Sequence, residues 1–431
     1  MLALDSANSI ANIAAKQQGA KVGAIGDSIT AQAILSNSTT NTFQTIGYLS
    51  WLRFLSNQQI DLSMSDIYAT TGYTTQQMID AGYHTSAAAA GLDFCIIHAG
   101  TNDASSVAFA TTTANLTRIY NTVLASGAYV VALCILPRGS PSATQKNFIA
   151  RINKWIYAQA KANPRIIVVN AGPALQTYST GEPIAAYFFD SVLHPSSQGA
   201  YLIAKIIWAA ISSYVKKRDI LSNYFYDAYD ATNNPAGQLL TNGNLTGTAG
   251  TKGTTGGVGT VTGSVADSWT VDANSATSGT CVVACSKVTR TDSIQGVWQQ
   301  LVYSGTNGTT AGFSYRMSQN PTFANISVGD ILDVACEIEV DTGFSNLLGV
   351  ELRSTFGGAS YTSFDMQDVN TTYPVWLDPG AKLTGVLRLG QIVVPAGASS
   401  TTLSVGAYFP ASVAVSATVR IGRFYMRKIT T

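Results

Sequence analysis

Two hydrophobic periods alternate between residues 20 and 218. Apolar runs at Val22–Ile25, Asp66–Ala69, Leu92–His98, Tyr129–Leu136 and Arg165–Val169 are short and nearly unbroken, as in strands buried within a parallel sheet. Between them apolar residues recur at helical spacing. Leu116, Ile119, Val123 and Leu124 form one such face, and Phe148, Ile149, Ile152, Trp155 and Ile156 another. A last helix carries Ile203, Ile206, Ile207, Ala210, Ile211 and Tyr214, and is expected to run on to Lys216, Lys217 and Arg218, cations suited to the end of its dipole. This alternation predicts an α/β domain over residues 21–220, a parallel sheet flanked by helices. Residues 1–20 read as an N-terminal arm, either a short amphipathic helix or a docking segment.

After a linker at 221–240 the period changes. Thr241–Asp267 is rich in glycine and threonine, and beyond it short alternating strands take over. In "DILDVACEIEV" Leu332, Val334, Cys336, Ile338 and Val340 share one face, while Asp333, Glu337 and Glu339 share the other. Further strands are expected at Val297–Tyr303, Leu347–Leu352, Gly385–Val394, Thr402–Tyr408 and Val415–Met426. Residues 241–431 therefore predict an all-β sandwich or jelly roll. Trp269, Trp298, Tyr303 and Tyr315 are expected in its core, with one or two exposed rings available to stack on sugars.

Composition narrows the partners. Hydrophobic residues make up 46% of the 431, enough for two cores, while charged residues make up only 11% and the net charge is +1. Such a chain has no electrostatic footprint for nucleic acid or an anionic membrane, and no apolar run reaches membrane-spanning length. No signal peptide is visible, yet the neutral Ser, Thr, Asn and Gly-rich surface favours an extracellular or particle-borne setting among neutral polymers. Cys95, Cys134 and Cys336 fall in strand-like runs and read as buried thiols. Cys281 and Cys285 have no histidine nearby, which disfavours zinc and leaves a local disulfide open. No metal or cofactor is expected, apart from a calcium ion that Asp330 and Asp341 could help to hold.

The candidate chemistry lies in the first domain. In "KVGAIGDSITAQ" an apolar strand breaks at Gly26 and leaves Ser28 at a strand-to-helix corner. A serine there caps the helix or aims a nucleophile into a cleft, and the choice needs a base and oxyanion donors elsewhere. Three further blocks follow in order: Gly72 in "ATTGYTT", then Gly100-Thr101-Asn102-Asp103, then "FFDSVLHPSSQG" around His194. The first three blocks each follow a strand, so their loops should meet at the carboxyl edge of the sheet.

These blocks resemble those of the SGNH or GDSL hydrolases, over roughly the first half of the chain. The resemblance implies a flavodoxin-like sheet and a serine esterase. It makes Ser28 the nucleophile and His194 the base, and forms an oxyanion hole from the N–H of Ser28, the N–H of Gly72 and the side-chain amide of Asn102. The family pattern is D-x-x-H, whereas here Ser191 stands three residues before His194 and Asp190 four. Asp190 is kept as the orienting acid, the alternative being a Ser-His dyad steadied by a backbone carbonyl or by Ser191. Asp27 and Asp103 read as supports of loop geometry, His98 as a satisfied, half-buried histidine, and His84 as a surface residue.

The implied activity is removal of small acyl groups, acetyl foremost, from a polysaccharide such as a bacterial surface glycan. The alternatives are a lipolytic esterase or thioesterase, and a non-catalytic glycan-binding tail or adhesion protein. No long amphipathic insertion suits the former, and a binding scaffold has no need of both Ser28 and His194. Low charge and the glycine-threonine segment also resemble tail-associated bacteriophage esterases, which implies a virion-associated homo-oligomer, a trimer. The β domain is expected to add avidity for the polymer, so a chain ending near Arg218 should keep its turnover of a small ester.

Overall fold

The strand ahead of the first motif, β1 (Ala20–Gly26), is buried from Val22 to Gly26, because both its faces are covered. The computed structural model describes residues 19–36, 40–57, 59–190, 192–216, 221, 227–253, 260–273, 279–309, 312–313, 315–359, 361–367 and 382–429. The expected N-terminal arm therefore lies almost entirely outside the described residues. The chain divides into two units, one ending at Ile34 and resuming over Thr45–Arg218, the other made of Leu35–Gln44 and Asp219–Thr431.

In the first unit β1 is followed by α1 (Ser28–Ala31). The chain then supplies β2 (Ile34–Ser36) and β3 (Thr40–Gln44), which pair within the second unit's sheet, before returning as α2 (Tyr48–Leu55). Two short strands, β4 (Ile60–Asp61) and β5 (Ile67–Ala69), share one flank of β1. On the other flank come β6 (Phe94–His98), β7 (Tyr129–Leu133) and β8 (Ile166–Val169), all parallel. Counting β4 and β5 as one position, this is the 2-1-3-4-5 order of the flavodoxin-like fold, with its switch point between β1 and β6.

The helices are α3 (Thr75–Asp80), α4 (Tyr83–Ala89), α5 (Phe109–Ala125), α6 (Ala143–Ala162), α7 (Gly172–Leu175) and α8 (Ser197–Ile211). Ser142 and Gln145 form a capping box at the start of α6, whose Phe148, Ile152 and Ile156 enter the core beside Ile97, Val130 and Ile119. The expected extension of α8 to Lys216 does not form. A 3-10 turn over Ser212–Tyr214 ends the helix and sets the Tyr214 ring against Phe94 and Tyr129. Lys217 and Arg218 lie outside the described residues. No helix among the described residues is long and apolar enough to cross a membrane.

The second unit is mostly β-strand. In chain order its strands are β9 (Ala249–Lys252), β10 (Val261–Gly263), β11 (Val265–Ala273), β12 (Val282–Thr289), β13 (Val297–Thr306), β14 (Gly312–Phe313), β15 (Tyr315–Gln319), β16 (Ile331–Val340), β17 (Gly349–Gly357), β18 (Tyr361–Gln367), β19 (Leu383–Val393), β20 (Ser400–Phe409) and β21 (Ala414–Lys428). One sheet runs β10-β12-β13-β21-β16-β19, the other β2-β3-β18-β17-β20-β15-β11-β9 with β14 beside β20. The sheets pack face to face: the Tyr303 hydroxyl donates to the Tyr315 carbonyl at 3.4 Å and accepts from the Ala407 N–H at 3.4 Å. Trp269, Tyr303 and Tyr315 are buried, while Trp298 is half-buried with the Arg290 guanidinium carbon 4.3 Å from its ring centre. Residues 227–240, within the expected linker, bond along β21 through Leu239 N–H to Met426 O at 2.8 Å and Gln238 Nε2 to Phe424 O at 2.8 Å.

The polar face of β16 carries paired charges. Asp333 meets Arg388 at 2.7 Å, Glu337 meets Arg290 at 2.7 Å, and Glu339 meets Lys382 at 3.0 Å. The calcium reading of Asp330 and Asp341 fails for the same reason. Lys428 lies 2.9 Å from Asp330, and two Arg420 nitrogens hold Asp341 at 2.5 and 2.6 Å, so each carboxylate already has a cation. All five cysteines are buried free thiols, Cys281 and Cys285 included.

Candidate active site

The corner after β1 is shaped by two residues ahead of the serine. A Cβ on Gly26 would lie 2.1 Å from Thr30 Oγ1, so only glycine lets α1 fold back so tightly. Asp27 is the N-cap, its Oδ1 accepting the Ile29 N–H at 3.0 Å. Capping thus falls to Asp27 rather than Ser28, and the Ser28 hydroxyl is left for another partner. That partner is His194 Nε2, 2.9 Å from Ser28 Oγ.

His194 sits in a turn that its neighbours close. Asp190 Oδ1 accepts the N–H groups of Val192 at 3.1 Å, Leu193 at 2.8 Å and His194 at 3.0 Å, while Oδ2 meets His194 Nδ1 at 2.6 Å. The four-residue spacing therefore delivers the carboxylate to the imidazole, because Asp190 caps the turn that carries the ring. Ser191 lies outside the described residues. Partial burial pushes the Asp190 carboxyl up, but the three backbone N–H groups and the imidazole outweigh it and hold the group below its usual value. An ionised Asp190 takes the proton side of Nδ1 and leaves Nε2 free to accept from the serine hydroxyl. The Phe189 ring stacks on the imidazole, centroids 5.4 Å apart and planes at 13°.

The other blocks lie at the same edge of the sheet, after β5 and β6. Gly72 has φ of +81° and a Cβ there would meet nothing within 4 Å, so its backbone conformation, not space, calls for glycine. The N–H groups of Ser28 and Gly72 have no protein acceptor among the described residues. Asn102 donates one amide proton to Tyr73 O at 3.0 Å, tying the third block to the second and leaving one N–H over. Asp103 acts within the loops, accepting Thr75 N–H at 2.9 Å, Thr75 Oγ1 at 2.5 Å and Thr112 Oγ1 at 2.9 Å.

Two histidines depart from expectation. His84 is buried on α4 rather than exposed, and burial, with Arg118 nearby, pulls its pKa down. His98 is fully buried, and neither ring nitrogen has a hydrogen-bond partner among the described residues. Sequence reasoning also missed Phe189 and the Tyr73 carbonyl. Only the adjacency of Phe189 to Asp190 hints at the first, and nothing local marks the second.

Residues 24–202 match the model of a family described as GDSL-like Lipase/Acylhydrolase. Among solved structures, the chain is similar to a GDSL-like lipase from Bacteroides thetaiotaomicron, at 19% identity and TM-score 0.36, over 49% of this chain and 97% of that one. It is also similar to an acetylxylan esterase from Geobacillus stearothermophilus, at 17% identity and TM-score 0.36, over 47% of this chain and 98% of that one. No curated protein matches the chain.

Proposed function

We propose that this protein is a serine esterase that removes small acyl groups, acetyl foremost, from a polysaccharide. The observation that carries the reading is the continuous line from Asp190 through His194 to Ser28, 2.6 and 2.9 Å per step. Asp190 orients the imidazole, and Nε2 takes the Ser28 proton as Oγ attacks the acyl carbonyl. The N–H groups of Ser28, Gly72 and Asn102 receive the oxyanion. His194 then protonates the departing sugar hydroxyl, leaving an acyl-serine, and water hydrolyses it by the same route to release the carboxylic acid.

The polymeric substrate is supported by the appended β unit and by the low charge, 11% of residues, which suits contact with a neutral glycan. In this reading the protein works outside the cell or on a virion, as a homo-oligomer, on a bacterial surface glycan. The test measures acetate release across a panel of acetylated bacterial glycans, beside p-nitrophenyl esters from acetate to octanoate. Release from at least one glycan and a steep fall in rate with chain length are expected. Preference for octanoate would replace this reading with a lipase.

The oxyanion role of Asn102 is tested by Asn102→Ala, expected to lower kcat by about 10²- to 10³-fold with KM little changed. A loss under about threefold would remove Asn102 from the site.

A further inference from the structure

A second carboxylate and imidazole lie beside the nucleophile corner. His98 ends β6 and is the register partner of Gly26 at the end of β1, so two rigid neighbouring strands deliver its ring to Asp27. The ring and carboxyl are almost fully buried, 0% exposed for His98 and 1% for Asp27. His98 Nδ1 stands 3.6 Å from Asp27 Oδ1, while both ring nitrogens and Asp27 Oδ2 lack a hydrogen-bond partner among the described residues. Unpaired buried polar atoms are rare in folded proteins, and here they cluster one residue before Ser28. Nothing in the reaction uses either group.

We propose that His98 is a positioning residue for Ser28. With its proton on Nδ1 it faces the Asp27 carboxylate electrostatically and holds it as the cap of α1. Because Asp27 Oδ1 also accepts the Ile29 N–H at 3.0 Å, fixing that carboxylate fixes the corner that carries both the Oγ and the N–H of Ser28. The inference rests on the reading of Ser28 as nucleophile.

The test compares His98→Asn and His98→Leu in the full chain with p-nitrophenyl acetate. Asparagine offers an amide N–H near the place of Nδ1, whereas leucine fills the space without a donor. His98→Leu is expected to lower kcat about 10- to 100-fold at nearly constant KM, the scale of a small misplacement of the reacting group. His98→Asn should stay within about threefold of the parent, although both variants move Tm alike. Equal kcat in the two variants, whether kept or lost in step with Tm, overturns the proposal. Asp27→Asn, which retains a capping oxygen but not the charge, guards against a leucine variant that fails to fold: parental kcat in it also overturns the proposal. Ser28→Ala in the same assay separates the two readings. If it stays active the nucleophile assignment is wrong. If it is dead while His98→Leu keeps full kcat, only the positioning role is wrong.

Discussion

Replacing Ser28 with alanine is expected to lower kcat on p-nitrophenyl acetate by about 10⁴- to 10⁶-fold, the scale seen when the nucleophile of a cooperating set is removed. The folded state should hardly change. The Ser28 hydroxyl bonds His194 Nε2 across the site, and the helix corner is held by the Asp27 cap, which alanine leaves intact. Loss of that one bond at a buried position costs about 1 kcal/mol, a shift of a few degrees in Tm. Initial rates and thermal unfolding on the same preparation check both halves. Activity within tenfold of the parent, at an unchanged Tm, would exclude the serine mechanism; a large drop in Tm would leave the rate uninterpretable as chemistry, and Ser28→Cys would then take its place.

A chain ending at Arg218 is expected to lose soluble yield and small-ester activity together, against the linear reading of two consecutive domains. The reason is β3. Its residues pair in parallel with β18, from Thr40 opposite Thr362 to Gln44 opposite Gln367, and Thr42 and Phe43 are buried there. Truncation removes β18 and leaves β3 as an unpaired edge with exposed N–H and C=O groups, a template for aggregation. That edge lies in the connection between α1, which carries Ser28, and α2. Soluble yield and small-ester activity should both fall at least several-fold. In a second truncated chain a short Gly/Ser connection replaces residues 35–44, and this should restore solubility. Full activity in the simple truncation would show that β3 is dispensable to the first unit.

The elements that could be read from sequence are those whose energetics are local. Val22–Ile25 and Tyr129–Leu136 announce buried strands because a parallel strand covered on both faces is apolar at every position. The Ser142 and Gln145 capping box and the face of Phe148, Ile152 and Ile156 announce α6 because helical neighbours lie three and four residues apart. By contrast α2, "YLSWLRFL", is buried almost all round, its polar Ser50 and Arg53 included, so its pattern does not report its burial; it packs against α8 with Trp51 and Tyr201 ring centres 5.2 Å apart. The strand β3, "TNTFQ", has one large apolar residue and takes its stability from a partner far along the chain.

The site divides along the same line. Residue order alone placed Ser28, Gly72 and Asn102 after three strands, and α/β topology requires such loops to share one edge of the sheet. It also supplied His194 just ahead of a helix. Only the tertiary structure decided that Ser28 and His194, 166 residues apart, meet at 2.9 Å, because that distance depends on which strands are neighbours. It likewise brought Asp190 to His194 Nδ1, since three N–H bonds to one carboxylate oxygen fold the turn tightly enough for a four-residue spacing to reach that nitrogen. The meeting of His98 with Asp27 and the departure of residues 35–44 into another sheet belong to the same class. Local pattern reports what each segment prefers, and long-range register decides which side chains face one another.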